Sequence, residues 1–141
     1  MYKTLHHLLA CTYSTFSKQV LANLFDSGLT SGQPKVLDYL KYHNGCVQKD
    51  IAAGCEIEAS TVTSLLLRME EGGLIERRMR KGNRRSLYVF LTDKGIKALE
   101  KVSEVFDELE TLAFEGFSTE EKMDFLEKFF KIYGNLTKEN K

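Results

Sequence analysis

The sequence of 141 residues contains no tryptophan, a single proline and only three cysteines. No apolar run approaches the roughly 18 residues of a membrane-spanning helix, so we do not expect a membrane protein. Cys11, Cys46 and Cys55 show no CxxC spacing, which argues against a disulfide framework and against a zinc ribbon. The first residues lack the apolar stretch and cleavage site of a signal peptide, and we therefore expect a cytoplasmic protein.

Residue patterns typical of catalysis are also missing. The chain has three histidines, no glycine-rich phosphate loop and no serine–histidine–aspartate arrangement. His6 and His7 are adjacent and point to different sides of a helix, while His43 and Cys46 have no second ligand pair close in sequence. We therefore expect no enzyme, no catalytic residues, no cofactor and no metal site.

The formal net charge is zero, which taken alone argues against nucleic-acid binding. The charges are, however, unevenly distributed along the chain. Residues 76–85 contain six Arg or Lys and one Glu, whereas residues 100–141 contain six Lys and eleven Asp or Glu. This asymmetry predicts a nucleic-acid-binding face and, separately, a solvated acidic helical face.

Two short helices joined by a tight turn are predicted between Gln48 and Glu71. The first covers 48–53, with Gly54 as a stop that tolerates a positive φ. The second covers 59–71, and its apolar residues have the i, i+3, i+4, i+7 spacing of one buried face. These residues are Val62, Leu65, Leu66 and Met69. The pattern predicts a helix-turn-helix, whose second helix enters the major groove of DNA.

The opposite face of the second helix carries short polar side chains and one long cation. Short side chains let a helix lie deep enough in the major groove for contact with base edges. Gln48 and Lys49 begin the first helix, where side-chain donors and backbone N–H groups can meet phosphate. The candidate DNA-binding residues of the second helix are Ser60, Thr61, Thr63, Ser64 and Arg68. Two alternatives stay open: this face is an ordinary solvated surface, or Thr63 turns towards the preceding helix.

A β-hairpin is predicted directly after the second helix. Gly72 and Gly73 end the helix, and residues 74–79 and 86–91 have the β-branched and aromatic content of strands. Glycine and asparagine at the hairpin tip favour a turn, and the other tip residues are cationic. A basic hairpin in this place is suited to the phosphate backbone or a narrow minor groove. Its candidate DNA-binding residues, which are otherwise ordinary surface side chains, are Arg80, Lys81, Asn83, Arg84 and Arg85.

Long helices are predicted on both sides of this unit. Residues 4–27 form the first. A supporting helix follows, with Pro34 in its first turn, Thr30 or Ser31 as its cap and Tyr42 on its buried side. Asp93 begins a long helix that Gly116 breaks, and Ser118 with Glu121 forms a capping box for the last helix. These flanking helices carry more apolar surface than one thin layer hides, which predicts an obligate homodimer.

The segment 29–99 resembles the MarR family of winged helix-turn-helix transcriptional regulators. The resemblance rests on residues 29–37 before the supporting helix, on 50–52 and 60–63 in the two short helices, and on 68–70 with 73–77 at the entry to the wing. It continues through 83–85 and 91–95. The family's wing usually has Asp-x-Arg, whereas this chain has Asn83-Arg84-Arg85, so the usual ion pair that would hold Arg85 is lost.

The resemblance implies a mainly α fold with a small β-hairpin wing, in one domain covering 1–141. Residues 29–92 would be the DNA-binding unit, and 4–28 and 93–138 the dimerisation helices. The expected function is a dimeric, sequence-specific double-stranded DNA-binding regulator, a repressor of a pseudo-palindromic operator that an effector releases. Two-fold symmetry would place the recognition helices about 10 bp apart.

The family also implies two kinds of sensing site. Small phenolic or lipophilic effectors bind between the dimerisation helices and the winged unit, where the candidate aromatic residues are Tyr13, Phe16, Tyr39, Phe106 and Phe114. Some members sense oxidants through a cysteine on the first helix, and Cys11 is the candidate here, although the sensing position falls nearer His6. Core packing is the alternative for the aromatic residues. For the whole chain, the alternatives are a protein-interaction module or a thiol- or metal-sensing regulator of the same fold.

Overall fold

The computed structural model describes residues 2–80 and 82–138, apart from the side chains of Arg80, Asn83, Arg84 and Arg85. This part of the chain forms six α-helices and a three-stranded sheet, and a 3-10 turn at Phe25–Ser27 follows the first helix. The helices are α1 (Leu5–Asn23), α2 (Gln33–His43), α3 (Gln48–Cys55), α4 (Ala59–Glu71), α5 (Asp93–Ala113) and α6 (Thr119–Lys138). The strands are β1 (Cys46–Val47), β2 (Ile75–Arg80) and β3 (Asn83–Leu91). The expected mainly α fold with a β-hairpin wing is confirmed.

Helix α4 has the predicted bounds and the predicted buried face. Val62, Leu66 and Met69 are completely buried, and Leu65 is 2% exposed. They belong to a core shared by the elements around them, in which Val36, Leu37, Leu40, Ile51 and Val89 are also completely buried. Helix periodicity therefore located α4 and its buried face correctly.

Helix α2 begins differently from the prediction. Its first residue is Gln33, preceded by Gly32 at φ +87°, and no side chain caps the helix. The Gln33 side chain instead accepts a hydrogen bond from the Thr30 N–H at 3.1 Å, so the proposed Thr30 or Ser31 cap is wrong. Tyr42 was also placed wrongly on the buried side, since it is 78% exposed near the end of the helix.

Helix α3 runs through Gly54 and ends at Cys55, so the predicted stop at Gly54 is wrong. The residue in the left-handed conformation is Glu56, at φ +53°. Gly54 is required for another reason. A Cβ at this position would lie 2.2 Å from the Tyr39 ring, so the absence of a side chain lets α2 and α3 approach closely.

The sheet is antiparallel with strand order β1-β3-β2. In the hairpin, Ile75 pairs with Leu91 and Arg77 with Val89, and a register irregularity follows Met79. The two-residue strand β1 was not predicted. It exists through pairing of Cys46 with Val89, and it joins the entrance of α3 to the base of the wing.

The start of α5 is fastened to the loop that leaves α4. The Thr92 N–H donates to the Leu74 carbonyl at 3.1 Å, and Lys94 Nζ donates to the Gly72 carbonyl at 2.8 Å. Gly95 packs so closely that a Cβ would lie 2.0 Å from the Leu74 carbonyl oxygen. The end of α4 and the start of α5 are therefore held in one arrangement.

The contacts divide the chain into one unit up to Asp107 and another from Glu108. In the first, α5 buries Leu99, Val102 and Val105, whereas Ile96 is 44% exposed. The second contains the predicted capping box. The Ser118 N–H donates to Glu121 Oε1 at 3.0 Å, and the Glu121 N–H donates to Ser118 Oγ at 3.1 Å.

Candidate nucleic-acid interface

The surface of α4 opposite the core is polar and open to solvent. Ser60, Thr61, Ser64 and Arg68 are all exposed, as the helical pattern predicts. Leu67 lies on the same surface and is 48% exposed. Sequence periodicity left Leu67 unassigned, because it is apolar yet falls outside the buried stripe.

Thr63 takes part in contacts within the helix-turn-helix. Its Oγ1 accepts a hydrogen bond from Gln48 Nε2 at 2.6 Å and lies 3.0 Å from the Ala59 carbonyl, to which it donates. Thr63 thus turns towards α3, which was one of the two alternatives open for this residue. Gln48 is half-buried and supports α4, while Lys49 beside it is exposed. The Gln48–Thr63 hydrogen bond joins the two helices at their exposed side.

Arg68 lies along its own helix. Its Nε donates to the Ser64 carbonyl at 3.4 Å, one turn earlier, and the side chain is otherwise exposed. Ser64 Oγ in turn donates to the Ser60 carbonyl at 3.3 Å. These two hydrogen bonds hold the Ser64 and Arg68 side chains close to the helix. The Arg68 guanidinium thereby places a positive charge at the surface of α4.

An ion pair that sequence patterns did not predict ties the wing to the recognition helix. Glu70 Oε1 accepts hydrogen bonds from Nε and Nη2 of Arg77 at 3.2 and 2.9 Å, and Glu70 Oε2 accepts from the Arg77 backbone N–H at 3.0 Å. These hydrogen bonds hold the pKa of the Glu70 carboxyl below its usual value. Because the partners are seven residues apart across the end of a helix, no helical or strand periodicity links them.

On the wing, Arg78 is fixed by two neighbours. It forms an ion pair with Glu76 at 2.7 Å, and its guanidinium carbon lies 4.6 Å from the centre of the Phe90 ring. The positions of the candidate side chains at the wing tip are not described. Lys81 lies outside the described residues, as do the side chains of Arg80, Asn83, Arg84 and Arg85.

A separate cavity of about 420 Å³ lies between α1, the start of α2 and α5. Tyr13, Phe16 and Phe106 line it, and the Phe16 and Phe106 rings stack with their centres 6.2 Å apart. Two aromatic residues that we expected in the effector pocket, Tyr39 and Phe114, are not among the residues that line this cavity. Tyr39 stacks on His43 and lies against Gly54, and Phe114 contacts Phe117 and Phe125, so neither lines this cavity.

The three cysteines occupy different surroundings. Cys55 is 2% exposed in the core, and burial raises the pKa of its thiol and of the Cys46 thiol. Cys11 is half-buried on α1, with its Sγ 3.5 Å from His7 Nε2 one turn earlier. A raised pKa lowers thiolate content, so Cys46 and Cys55 are poor candidates for oxidant sensing.

Metal sites and membrane spans are both absent from the described residues. In 2–80 and 82–138, no three His, Cys, Asp or Glu side chains lie together as a potential metal site. Within the same part of the chain, no helix combines the length and apolarity needed to cross a bilayer.

The chain is similar in sequence to known regulators over most of its length. Residues 29–87 match the MarR family. The uncharacterised HTH-type transcriptional regulator YwoH of Bacillus subtilis is 32% identical over 113 residues, which cover 80% of this chain and 82% of YwoH.

Solved structures show the same similarity over nearly the whole chain. The S. aureus MepR–DNA complex is 28% identical, with a TM-score of 0.86 and coverage of 96% of this chain and 99% of MepR. A MarR family regulator from Listeria monocytogenes, complexed with 26mer DNA, shares the fold at a TM-score of 0.92, with 18% identity and coverage of 98% and 92%. The chain thus belongs to the MarR family, whose members are transcriptional regulators and not enzymes.

Proposed function

We propose that this protein is a homodimeric regulator that binds a pseudo-palindromic double-stranded DNA operator. The observation that carries the proposal is the exposed face of α4, where short polar side chains and Arg68 lie next to a basic wing. Helix α4 would enter the major groove, with Ser60, Thr61, Ser64 and Arg68 towards the bases and Lys49 towards phosphate. The similar MepR has been solved bound to DNA, and the similarity covers 99% of its chain.

Arg80, Lys81, Arg84 and Arg85 would bring positive charge to the phosphate backbone or a minor groove. The Glu70–Arg77 ion pair supports this role, because it connects the base of the wing to the last turn of α4. A fixed connection lets the two elements contact neighbouring grooves in a defined register. Asn83, the first residue of β3, would lie among these cations in the chain.

The dimer is supported by apolar surface that the single chain leaves uncovered. Helix α6 has 20 residues, none of them buried. Its apolar side chains follow a helical stripe and are between 41% and 72% exposed: Met123, Leu126, Phe129, Phe130 and Tyr133. Leu5, Leu8 and Leu9 of α1 are 37% to 49% exposed. Exposed apolar side chains in such numbers on a helix are typical of an interface, and a second copy of the chain is the proposed occupant.

Repression would follow from occupation of a site that the transcription machinery needs, and release from binding of an effector in the cavity beside Tyr13 and Phe16. The lining is mainly apolar, with Ser17, Ser31 and the Tyr13 hydroxyl as polar groups and Lys35 as a cation. This chemistry suits a small aromatic or lipophilic molecule with one polar or anionic group. The effector would act by changing the spacing of the two recognition helices.

Selection from a pool of random duplex DNA at physiological salt, followed by sequencing, tests the DNA-binding proposal. We expect a palindrome with half-sites about 10 bp apart. A protein-interaction module would show no enriched sequence and no steep fall of DNA affinity with salt. That result would contradict the proposed function.

The Cys11–His7 contact of 3.5 Å favours one second candidate, a thiol-sensing form of the same regulator. Treatment of the protein–operator complex with hydrogen peroxide tests it. Release from the wild-type protein, with retention by Cys11→Ser, would support thiol sensing. Equal retention by both would leave the cavity as the effector site.

A further inference from the structure

Leu67 is an apolar residue of α4 that the core does not cover. It is 48% exposed, whereas the other apolar residues of the helix from Val62 to Met69 are no more than 2% exposed. Residues three, four and seven apart lie on one face of a helix. Leu67 therefore shares its face with Ser64 and Ser60, in the middle of the surface that the proposed function turns towards DNA.

The side chains around Leu67 leave it as the long apolar group of this face. Ser60, Thr61 and Ser64 are short, and Arg68 bends back to the Ser64 carbonyl. The Ser64 hydroxyl donates its proton to the Ser60 carbonyl, so its oxygen is left as an acceptor. Leu67 neither donates nor accepts a hydrogen bond, and it extends beyond the serines towards any surface that α4 approaches.

The edges of base pairs in the major groove consist of hydrogen-bond donors and acceptors together with one apolar group, the C5 methyl of thymine. A leucine placed against a donor or acceptor would remove water from it without replacing the hydrogen bond, which is unfavourable. Contact with the methyl instead removes apolar surface from water on both partners, which is favourable.

We propose that Leu67 is a specificity-determining residue that contacts the C5 methyl of a thymine in each operator half-site. This inference rests on the proposed function, because it requires α4 to lie in the major groove. It adds a preference for thymine over cytosine that the hydroxyls and Arg68 do not supply.

Deoxyuridine substitution tests the proposal, because deoxyuridine differs from thymidine only by the missing methyl. Each thymine of the selected operator is replaced in turn, and the Kd is measured for the wild type, Leu67→Ala and Leu67→Met. We expect one position at which the loss of the methyl weakens wild-type binding about fourfold per half-site, the factor for one buried methyl. Replacement in both half-sites should weaken it about 15-fold.

The two variants separate methyl contact from a general effect on the fold. Leu67→Ala should bind the thymine and uracil operators equally, while Leu67→Met, which is still long and apolar, should keep part of the difference. Because Leu67 is exposed, both variants should melt within a few degrees of the wild type. Sensitivity to deoxyuridine that is identical in the wild type and Leu67→Ala, or absent from the wild type, would overturn the proposal. Failure of the preceding selection to enrich any sequence would overturn the proposed function itself.

Discussion

Arg68 is the side chain of the recognition helix with the longest reach and a permanent charge. Its Nε contact with the Ser64 carbonyl, at 3.4 Å, is long and exposed, so the guanidinium can leave it for a base edge or phosphate at little cost. This freedom distinguishes Arg68 from Arg77, which Glu70 holds with two side-chain hydrogen bonds. Of these two arginines, Arg77 is thus held within the fold, while Arg68, nine residues earlier, keeps a guanidinium that can reach a partner.

Arg68→Ala should weaken binding to the selected operator by about 1–3 kcal/mol per half-site if the guanidinium reads a base. Removal of a base contact also lowers the preference for the operator over random DNA. Titration of both DNAs by fluorescence anisotropy measures the two effects, with Arg68→Lys as the matched control that keeps the charge and loses the bidentate geometry. A uniform weakening on both DNAs would assign Arg68 to phosphate instead.

Glu70 gives the protein a pH-dependent element of stability. Its pKa is lowered in the folded state by hydrogen bonds from Arg77, so its contribution is present above the ordinary value of 4.5 and is lost as pH falls below it. Glu70→Gln should cost about 1 kcal/mol at neutral pH, a small value because the Glu70 side chain is 36% exposed. At pH 3 the difference from the wild type should shrink.

Urea unfolding at the two pH values measures this difference. Glu71→Gln is the matched control, because Glu71 is the next residue of the same helix and is exposed. A cost for Glu70→Gln that is the same at both pH values would contradict the ion-pair explanation.

At the scale of the elements, two glycines set how closely neighbouring segments approach. Gly54→Ala would place a Cβ 2.2 Å from the Tyr39 ring, a side chain that can tilt away. Gly95→Ala would place one 2.0 Å from the Leu74 carbonyl oxygen, a backbone atom held by the Thr92 N–H. We expect Gly54→Ala to cost about 1–3 kcal/mol of unfolding free energy and Gly95→Ala to cost more.

Thermal unfolding of both variants checks this order. Tyr39→Leu removes the ring, so Gly54→Ala made in that background should be neutral or slightly stabilising, since alanine is the better helix former. An equal cost of Gly54→Ala with and without the ring would show that helix packing at Gly54 is not limited by Tyr39.

These glycines also mark what the sequence could not predict. The bounds and buried face of α4 followed from its apolar periodicity, and the capping box before α6 followed from Ser118 and Glu121, because both patterns are local. Gly54 was misread as a helix stop because the reason for a glycine there lies on another helix. Strand β1 was missed because two residues become a strand only through a partner distant in sequence.

In the candidate site, too, local features were predictable from the sequence and tertiary contacts were not. The exposed polar face of α4 was predictable, since it is the complement of a buried stripe. The turn of Thr63 towards Gln48, the Glu70–Arg77 ion pair and the packing of Tyr39 away from the cavity all depend on tertiary contacts. Residue type and local spacing alone do not determine such contacts.

We expect the contribution of the wing to DNA binding to be largely electrostatic, because the sequence of its tip includes Arg80, Lys81, Arg84 and Arg85. The double variant Arg84→Ala/Arg85→Ala should weaken binding to all DNA sequences and flatten the dependence of log K on log salt by about 0.9 for each phosphate that the wing no longer neutralises. Lys128→Ala/Lys131→Ala removes the same charge from α6 and serves as the control. Unchanged salt dependence in the wing variant would exclude the tip arginines from phosphate binding.

At the scale of the whole molecule, a basic segment in the wing is followed by an acidic helical segment, and the proposed dimer would combine two such chains on one operator. Helix α6 is amphipathic, and none of its residues, including those of the apolar stripe, is buried. On the opposite side of the helix, Lys128 pairs with Asp124 at 2.9 Å, in the manner of a solvated helix surface. Helix α6 therefore has one apolar surface suited to an interface and one charged surface suited to solvent.

Phe129→Glu/Phe130→Glu should convert the dimer to a monomer, because four charges would enter the apolar interface of the pair without partners. Sedimentation velocity measures the change of mass, and operator binding should fall steeply since each monomer then holds a single half-site. Lys131→Glu, which changes charge on the other face of α6, should leave both properties unchanged. If the double variant stayed dimeric and bound operator normally, the interface would lie elsewhere, and the exposed stripe of α6 would need a different partner.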